Sequence, residues 1–339
     1  MFKFKKEQLD ILAIGDIAVD VFIKIKEAET KCDPTGDHCE LCLRYGGKIP
    51  YESINTCYAA GNSSNVSLCM SKLGFKTGLL SNLGVDENGG KCLDKLQKSG
   101  INLRFVSKEK NKVTNCHYIL WYGVERTILT KHEKYTYKWL DDKKIDRLIS
   151  PKWIYLSSMG EESLSLHNEI IEYLKSHKDV HLAFQPGTFQ IKLGKDALKE
   201  IYEHTEIFLS NKEEAEKILG VEDKPIPELL PLISSLGSKI VVITDGLNGA
   251  YAYDGKEIFF TKALSQTPIE STGAGDSFSG AFVGAIMLGK SIRDALLWGA
   301  INAESVVRYI GPHDGLLDRD SIENRIKNLS DDYKSIKIN

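Results

Sequence analysis

Short apolar runs alternate along the chain with longer segments whose apolar positions recur at helical spacing. The first run, Ile11-Leu12-Ala13-Ile14, is continuous, as expected of a strand buried on both faces, and predicts a strand from Asp10 to Ile25. Leu41 to Tyr45 and Lys48 to Ile54 flank Gly46-Gly47 and read as a hairpin. Helices are expected from about Ser63 to Leu73, stopped by Gly74, and from Gly89 to Ser99, stopped by Gly100. The strand Thr77 to Leu83 lies between them. The alternation resumes with a strand at Trp153 to Leu156, a helix at Ser165 to Ser176 and a strand at Val180 to Phe184. A helix at Ala197 to Glu203 and a strand at Glu206 to Ser210 follow. Lys239 to Thr244 is the most strand-like run of all. His117 to Thr130 and Ala250 to Phe260 read as hairpin additions, and Ile292 to Tyr309 as a late helix.

Strands that alternate with helices predict a mostly parallel sheet with helices on both faces. The chain is read as one α/β domain over residues 9–330, with 24–58 and 117–130 forming a small β lid and 1–8 and 331–339 as terminal extensions.

Composition narrows the partners. Across 339 residues, 44 basic and 47 acidic side chains leave a net charge of −3, so no basic footprint for nucleic acid is visible. No stretch approaches the roughly 20 apolar residues of a membrane helix. The basic N-terminus is followed at once by Glu7 and Asp10, and the next apolar run is too short for a signal peptide, so a cytoplasmic location is expected. Seven cysteines, an odd count in a reducing compartment, argue against a disulfide framework. Cys32, His38, Cys39 and Cys42 cluster in one polar segment, with a zinc-like Cys-x-x-Cys spacing but no second pair. Free thiols in a loop are the preferred reading, and a zinc-stabilised lid the alternative.

The chemistry concentrates in Ser271-Thr272-Gly273-Ala274-Gly275-Asp276-Ser277-Phe278-Ser279-Gly280. Its small residues let a ligand approach backbone N–H groups. Those groups open a helix expected from Asp276 to Leu288, and a helix N-terminus attracts phosphate. A carboxylate beside an anion site repels the anion, which is odd for a loop that only holds phosphate and makes sense if Asp276 takes a proton from a hydroxyl that attacks the phosphoryl group. Asp276 as an ordinary helix-start residue is the bland alternative.

From Thr272 onward this run resembles the Asp-Thr-x-Gly-Ala-Gly-Asp motif of the PfkB/ribokinase family of carbohydrate kinases, with Glu270 and Ser271 in place of the usual Asp and Thr. Other segments continue the likeness from about Leu9 to Leu317. In Gly15-Asp16-Ile17-Ala18-Val19-Asp20, the resemblance implies that Asp20 binds sugar hydroxyls. Ala60-Gly61-Asn62-Ser63-Ser64-Asn65-Val66 is similar to Gly-Gly-Asn-x-x-Asn-x-Ala, which implies that Gly61 and Asn65 contact the acceptor; an N-cap at Asn62 or Ser63 is compatible with that. Asn211-Lys212-Glu213-Glu214 matches Asn-x-x-Glu, implying that Asn211 and Glu214 help position Mg²⁺, often through water, although a capping pattern opening the helix Glu213 to Leu219 is the favoured reading of the tetrapeptide alone. Thr244, Gly246, Gly249, Thr272 and Asn302 align with nucleotide contacts, Asn302 at the adenine pocket. Arg126 reaches either substrate or phosphate, or forms a surface ion pair. The family's K⁺ site falls between Glu270 and Ile310 to Gly315, and the longer Glu side chain bears on whether that ion is kept. No Gly-x4-Gly-Lys-Ser/Thr pattern appears.

The resemblance implies a ribokinase-like three-layer α/β/α fold with a β lid. It also implies an ATP- and Mg²⁺-dependent kinase for a sugar or sugar-like hydroxyl, and a possible homodimer through the lid. Asp276 would be the base, and the N–H groups of Gly273, Ala274, Gly275 and Asp276 the anion hole. A nucleoside kinase and a catalytically silent sugar or nucleotide sensor are the alternatives.

Overall fold

The computed structural model describes residues 7–33, 39–123, 125–139, 149–264, 268–330, 333 and 335–338. The first predicted strand is in fact two, β1 (Glu7–Ile14) and β2 (Ala18–Ile25), which enter different sheets. The break falls at Gly15-Asp16-Ile17, where β1 ends at the edge of the core. β3 (Glu29–Cys32) and β4 (Cys39–Cys42) pair antiparallel with each other, and β5 (Tyr51–Ala60) pairs with β2. The hairpin expected around Gly46-Gly47 is therefore not formed, because each of its arms has a different partner. Cys32 and Cys39 lie opposite one another in the β3–β4 register and form a disulfide, which corrects the expectation of free thiols for this pair. Cys42 is a free thiol, and His38 lies outside the described residues.

Next come α1 (Asn62–Lys72), β6 (Thr77–Gly84), α2 (Glu87–Lys98), β7 (Asn102–Glu109), β8 (Asn115–Tyr122) and β9 (Glu125–Leu129). The second half runs β10 (Ile149–Leu156), α3 (Leu164–Ser176), β11 (His181–Phe184), α4 (Thr188–Leu193), α5 (Lys199–His204) and β12 (Thr205–Asn211). It continues through α6 (Lys212–Leu219), α7 (Ile226–Ser234), β13 (Ile240–Thr244), β14 (Ala250–Tyr253) and β15 (Ile258–Thr261). It ends with α8 (Ala274–Met287), α9 (Ile292–Val306), α10 (Arg319–Lys327) and β16 (Ile336–Ile338). β16 adds to the sheet edge beside β15, so the C-terminal segment is part of the fold rather than a plain extension.

The main sheet has ten strands in the order β16-β15-β14-β13-β12-β11-β10-β1-β6-β7. It is parallel from β13 to β7 and antiparallel at β14, β15 and β16. Both faces are covered. Ile11 and Ala13 point into a core shared with α1, α2, α8 and α9, through Val66, Leu96, Phe282 and Trp298. Leu12 and Ile14 point into the opposite core, with Ile170 of α3, Tyr202 of α5 and Leu229 of α7. This two-sided burial explains why the strand runs read as continuously apolar. The lid is a separate four-stranded sheet, β5-β2-β8-β9, which begins at Ala18 rather than at residue 24. Among the described residues no helix is long and apolar enough to cross a membrane.

Candidate active site

Parallel strands present their carboxyl ends along one edge, and helices start there. Asp16 follows β1, Gln185 follows β11, Asn211 ends β12 and Thr244 ends β13. Facing them is the N-terminus of α8. Gly273 caps that helix with φ +80°, a left-handed conformation that glycine adopts freely. A Cβ at Gly273 would land on Pro312, so the turn packs directly against the loop after α9. α8 itself is buried from Asp276 to Ala285. Gly280 lets it approach α1, since a Cβ there would sit 2.8 Å from the Cys69 sulfur.

The placement of α8 drives Asp276 into the interior, where it is 7% exposed. Three side-chain amides donate to it. Asn62 Nδ2 lies 2.9 Å and Gln185 Nε2 3.3 Å from Oδ1, and Asn65 Nδ2 lies 2.6 Å from Oδ2. Gln185 is oriented by the Tyr155 hydroxyl, which donates to its Oε1. Burial raises the Asp276 carboxyl to about 6, against the pull of the three amides, and nearby Asp20 adds to the rise. A base must be unprotonated to work. Turnover is therefore expected to fall about tenfold per pH unit below pH 6, and to be independent of Asp276 above about pH 7. The pH profile of kcat/KM checks this, and a profile flat down to pH 5 would exclude Asp276 as the titrating base.

Around the α8 turn the backbone donors divide. The Ala274 N–H returns to the Ser271 carbonyl at 3.2 Å, so the four-donor hole is narrowed by one. Among the described residues, the N–H groups of Gly273, Gly275 and Asp276 have no hydrogen-bond partner. Three unpaired donors at a helix N-terminus are the chemistry that suits an anion.

Asp20 approaches from the lid. It sits on β2 opposite His117 of β8, with His117 Nδ1 3.2 Å from its Oδ1, and it is 6% exposed. The neighbouring Asp16 accepts from the Tyr137 hydroxyl at 2.8 and 3.0 Å, and burial raises it to about 7. The His132 ring lies 5.2 Å from that of His117 and 5.0 Å from that of Phe189. Gly61 is the N-cap of α1 at φ +98°, and a Cβ there would sit 2.5 Å from the Asp16 carbonyl oxygen. Its freedom from a side chain is needed for that close packing. Asn62 does not cap α1; its amide goes to Asp276.

A cleft of about 420 Å³ opens on the other side of the α8 turn, between the β13–β14 connection, Ser271, Gly275 and α9. Thr244, Gly246 and Gly249 line it, together with Ala300 and Ala303. Asn302 does not. It is wholly buried, donates to the Ser277 carbonyl at 2.9 Å and accepts from the Leu317 N–H at 3.0 Å, so its role is to tie α8, α9 and the C-terminal loop together. Thr272 gives its N–H and hydroxyl to Glu270 Oε1, at 2.8 and 2.6 Å. Arg126, on β9, donates to Ser271 and lies 3.7 Å from Glu270, which places it beside the turn that precedes α8. Asn211 and Glu214 form a reciprocal capping box at the start of α6, at 2.8 and 3.0 Å. Burial, and then the negative field of Asp276, raise the Glu214 carboxyl.

Asp16, Asn62, Gln185, His117, His132 and His313 join this cluster without having been predicted. Two of them carried a readable signal: Asp16 and Gln185 each follow a buried apolar strand directly, where α/β sheets hold ligands.

A model of the pfkB family carbohydrate kinases matches residues 27–319, and the chain belongs to that family. It is thus a carbohydrate kinase, with a ribokinase-like fold. Among its relatives, an ATP-dependent 6-phosphofructokinase of Thermoanaerobacterium thermosaccharolyticum is 23% identical over 94% of both chains. The fold is shared with Arabidopsis thaliana ribokinase, solved with ribose and ATP (TM-score 0.76, 20% identity, 96% of this chain and 100% of that one). It is shared also with a nucleoside kinase of Methanocaldococcus jannaschii (TM-score 0.73, 21% identity, 95% and 99%).

Proposed function

We propose that this chain moves the terminal phosphoryl group of ATP to a hydroxyl of an uncharged sugar-like acceptor, with Asp276 as the base. The observation that carries the reading is the buried Asp276 carboxylate, aimed by three amides and set beside three unpaired N–H groups. The acceptor hydroxyl gives its proton to Asp276 as its oxygen attacks phosphorus, and the bond to the ADP oxygen breaks. The N–H groups of Gly273, Gly275 and Asp276 stabilise the charge on the transferring group. Asp20 accepts from the acceptor's other hydroxyls, and a carboxylate there disfavours a phosphorylated or acidic sugar. The lid sheet covers this side and excludes water as a competing acceptor. Asn65, with both amide ends bonded to protein, supports the base more than the acceptor.

Nucleotide fits the cleft lined by Thr244, Gly246 and Gly249. Mg²⁺, when bound, neutralises the phosphates. Asn211 and Glu214 suit it as water-mediated holders, because Glu214 stands near both Asp276 and the strand ends. Glu214→Gln, which keeps an oxygen for the Asn211 N–H, should raise the Mg²⁺ needed for half-maximal rate by about tenfold with little change in melting temperature. A Mg²⁺ titration of turnover measures this. A place for K⁺ rests on Glu270 Oε2, which is buried without a partner. The lid exposes Tyr51, Ile54, Ile128 and Leu129, which suits pairing with a second copy.

A nucleoside acceptor is the second reading, favoured by the His117, His132 and Phe189 rings beside Asp16. ADP release from Mg-ATP with ribose, fructose, fructose 6-phosphate, adenosine and cytidine separates the two. Stimulation by ribose or fructose supports the first reading and by adenosine or cytidine the second, whereas stimulation by fructose 6-phosphate alone would overturn the uncharged acceptor.

A further inference from the structure

The loop after α9 carries His313, whose ring joins three elements. Lys95 Nζ of α2 lies 2.7 Å from its Nδ1, and its Nε2 lies 2.8 Å from Oδ1 of Asn65. Asn65 in turn holds Asp276 Oδ2 at 2.6 Å through Nδ2. Donor and acceptor rules allow one direction along this row. A lysine ammonium only donates, so Nδ1 must accept, and the proton of a neutral ring sits on Nε2. That N–H needs an acceptor, so Asn65 turns its carbonyl oxygen to His313 and its amide to the carboxylate. Cys57, whose sulfur lies 3.2 Å from Nδ1, is compatible with this: burial pushes its thiol up to about 12, so it keeps an S–H that can donate weakly to Nδ1 while its sulfur accepts weakly from Lys95. Burial and the Lys95 charge hold His313 well below its ordinary range, in its neutral form.

We propose that Lys95 and His313 are positioning residues of the phosphoryl transfer: they lock Asn65 with its amide toward Asp276 and pass the polarity of the Lys95 ammonium along the row to the base. The proposal rests on the reading of Asp276 as the base, but its tests need no acceptor and so fail separately from that reading. The other groups facing Asp276 are Asn62 of α1, Gln185 after β11, Asp20 of β2, Glu214 of α6, Tyr155 of β10 and Cys69 of α1. All of these stay unchanged in the variants below.

NMR of the histidine ring nitrogens in the isotope-labelled full chain, with His313 assigned by His313→Gln, should show a neutral ring protonated at Nε2. A ring protonated at Nδ1, or an imidazolium at neutral pH, would overturn the proposal. Carboxyl-carbon NMR of Asp276, assigned by Asp276→Asn, gives the second reading. Lys95→Met and His313→Phe should raise its titration midpoint by about one pH unit, a tenfold change in acid strength. His313→Gln, whose amide N–H again reaches Asn65, should restore the midpoint to within about a few tenths of a unit of the unmodified chain. Lys95 is only partly buried, so Lys95→Met keeps the test open where His313→Phe fails to fold. An unmoved midpoint in folded Lys95→Met would overturn the proposal.

Discussion

Asp276→Asn lowers acceptor-dependent turnover by about 10²–10⁴-fold, and leaves ATP affinity within a few fold. The substitution preserves the shape of the side chain and takes away its ability to receive a proton. The nucleotide cleft is built from other residues, including Thr244, Gly246, Gly249 and Ala303, so binding there loses little. The environment of Asp276 sharpens the expectation. Three amide donors converge on its two oxygens, an arrangement suited to a carboxylate that must be aimed and kept ionised although buried. An asparagine there turns an N–H toward one of those donors, so a small loss of melting temperature accompanies the loss of turnover. Steady-state ADP release, with calorimetric titration of ATP, reads both quantities. A variant that turns over normally would remove Asp276 from the role of base.

Gly273→Ala is expected to be nearly as damaging to turnover by a different route. At φ +80° an alanine is strained by about 1–2 kcal/mol, and its Cβ would also land on Pro312. A proline ring cannot rotate aside, so the turn itself must shift. The N–H groups of Gly273, Gly275 and Asp276 lose their common aim, and misplacing such donors costs about 10²–10³ in kcat. Gly289→Ala separates strain from clash. Gly289 has φ +76° and no atom within 4 Å of the Cβ position, at the far end of α8 from the site. It should lose stability only, with kcat unchanged. Equal kcat losses in the two variants would mean that general destabilisation, and not the aim of the N–H groups, sets the rate.

Much of the frame could be read from periodicity. Continuous apolar runs such as Ile11 to Ile14 and Ile240 to Ile243 marked buried parallel strands, because strands covered on both faces lack an alternating pattern. Glycine stops at Gly74 and Gly100 marked the ends of α1 and α2. What could not be read depends on pairing at long range. Leu41 to Ile54 has the look of a hairpin, yet β4 finds β3 and β5 finds β2, choices made by the register of distant strands. The Cys32–Cys39 disulfide follows from that same register.

The site divides in the same way. Local motifs marked Asp276, Thr244 and Asn211, since each lies at the end or in the first turn of an element at the strand edge, whereas Asp20, inside β2 of the lid, was marked by the resemblance. Asn302 was misplaced because a polar residue on a buried helix serves equally to line a pocket or to tie the core, and only its partners Ser277 and Leu317 distinguish these. His313 meets Asn65 across 248 residues, a contact that no local spacing reveals.

The central claim is phosphoryl transfer to an acceptor hydroxyl with Asp276 as the base, and following the labelled terminal phosphate of ATP tests it most directly. With each candidate acceptor present, the label should appear on that compound in the unmodified chain and be lost from it in Asp276→Asn. Label found only as free phosphate, or transferred equally well by the variant, would contradict the account.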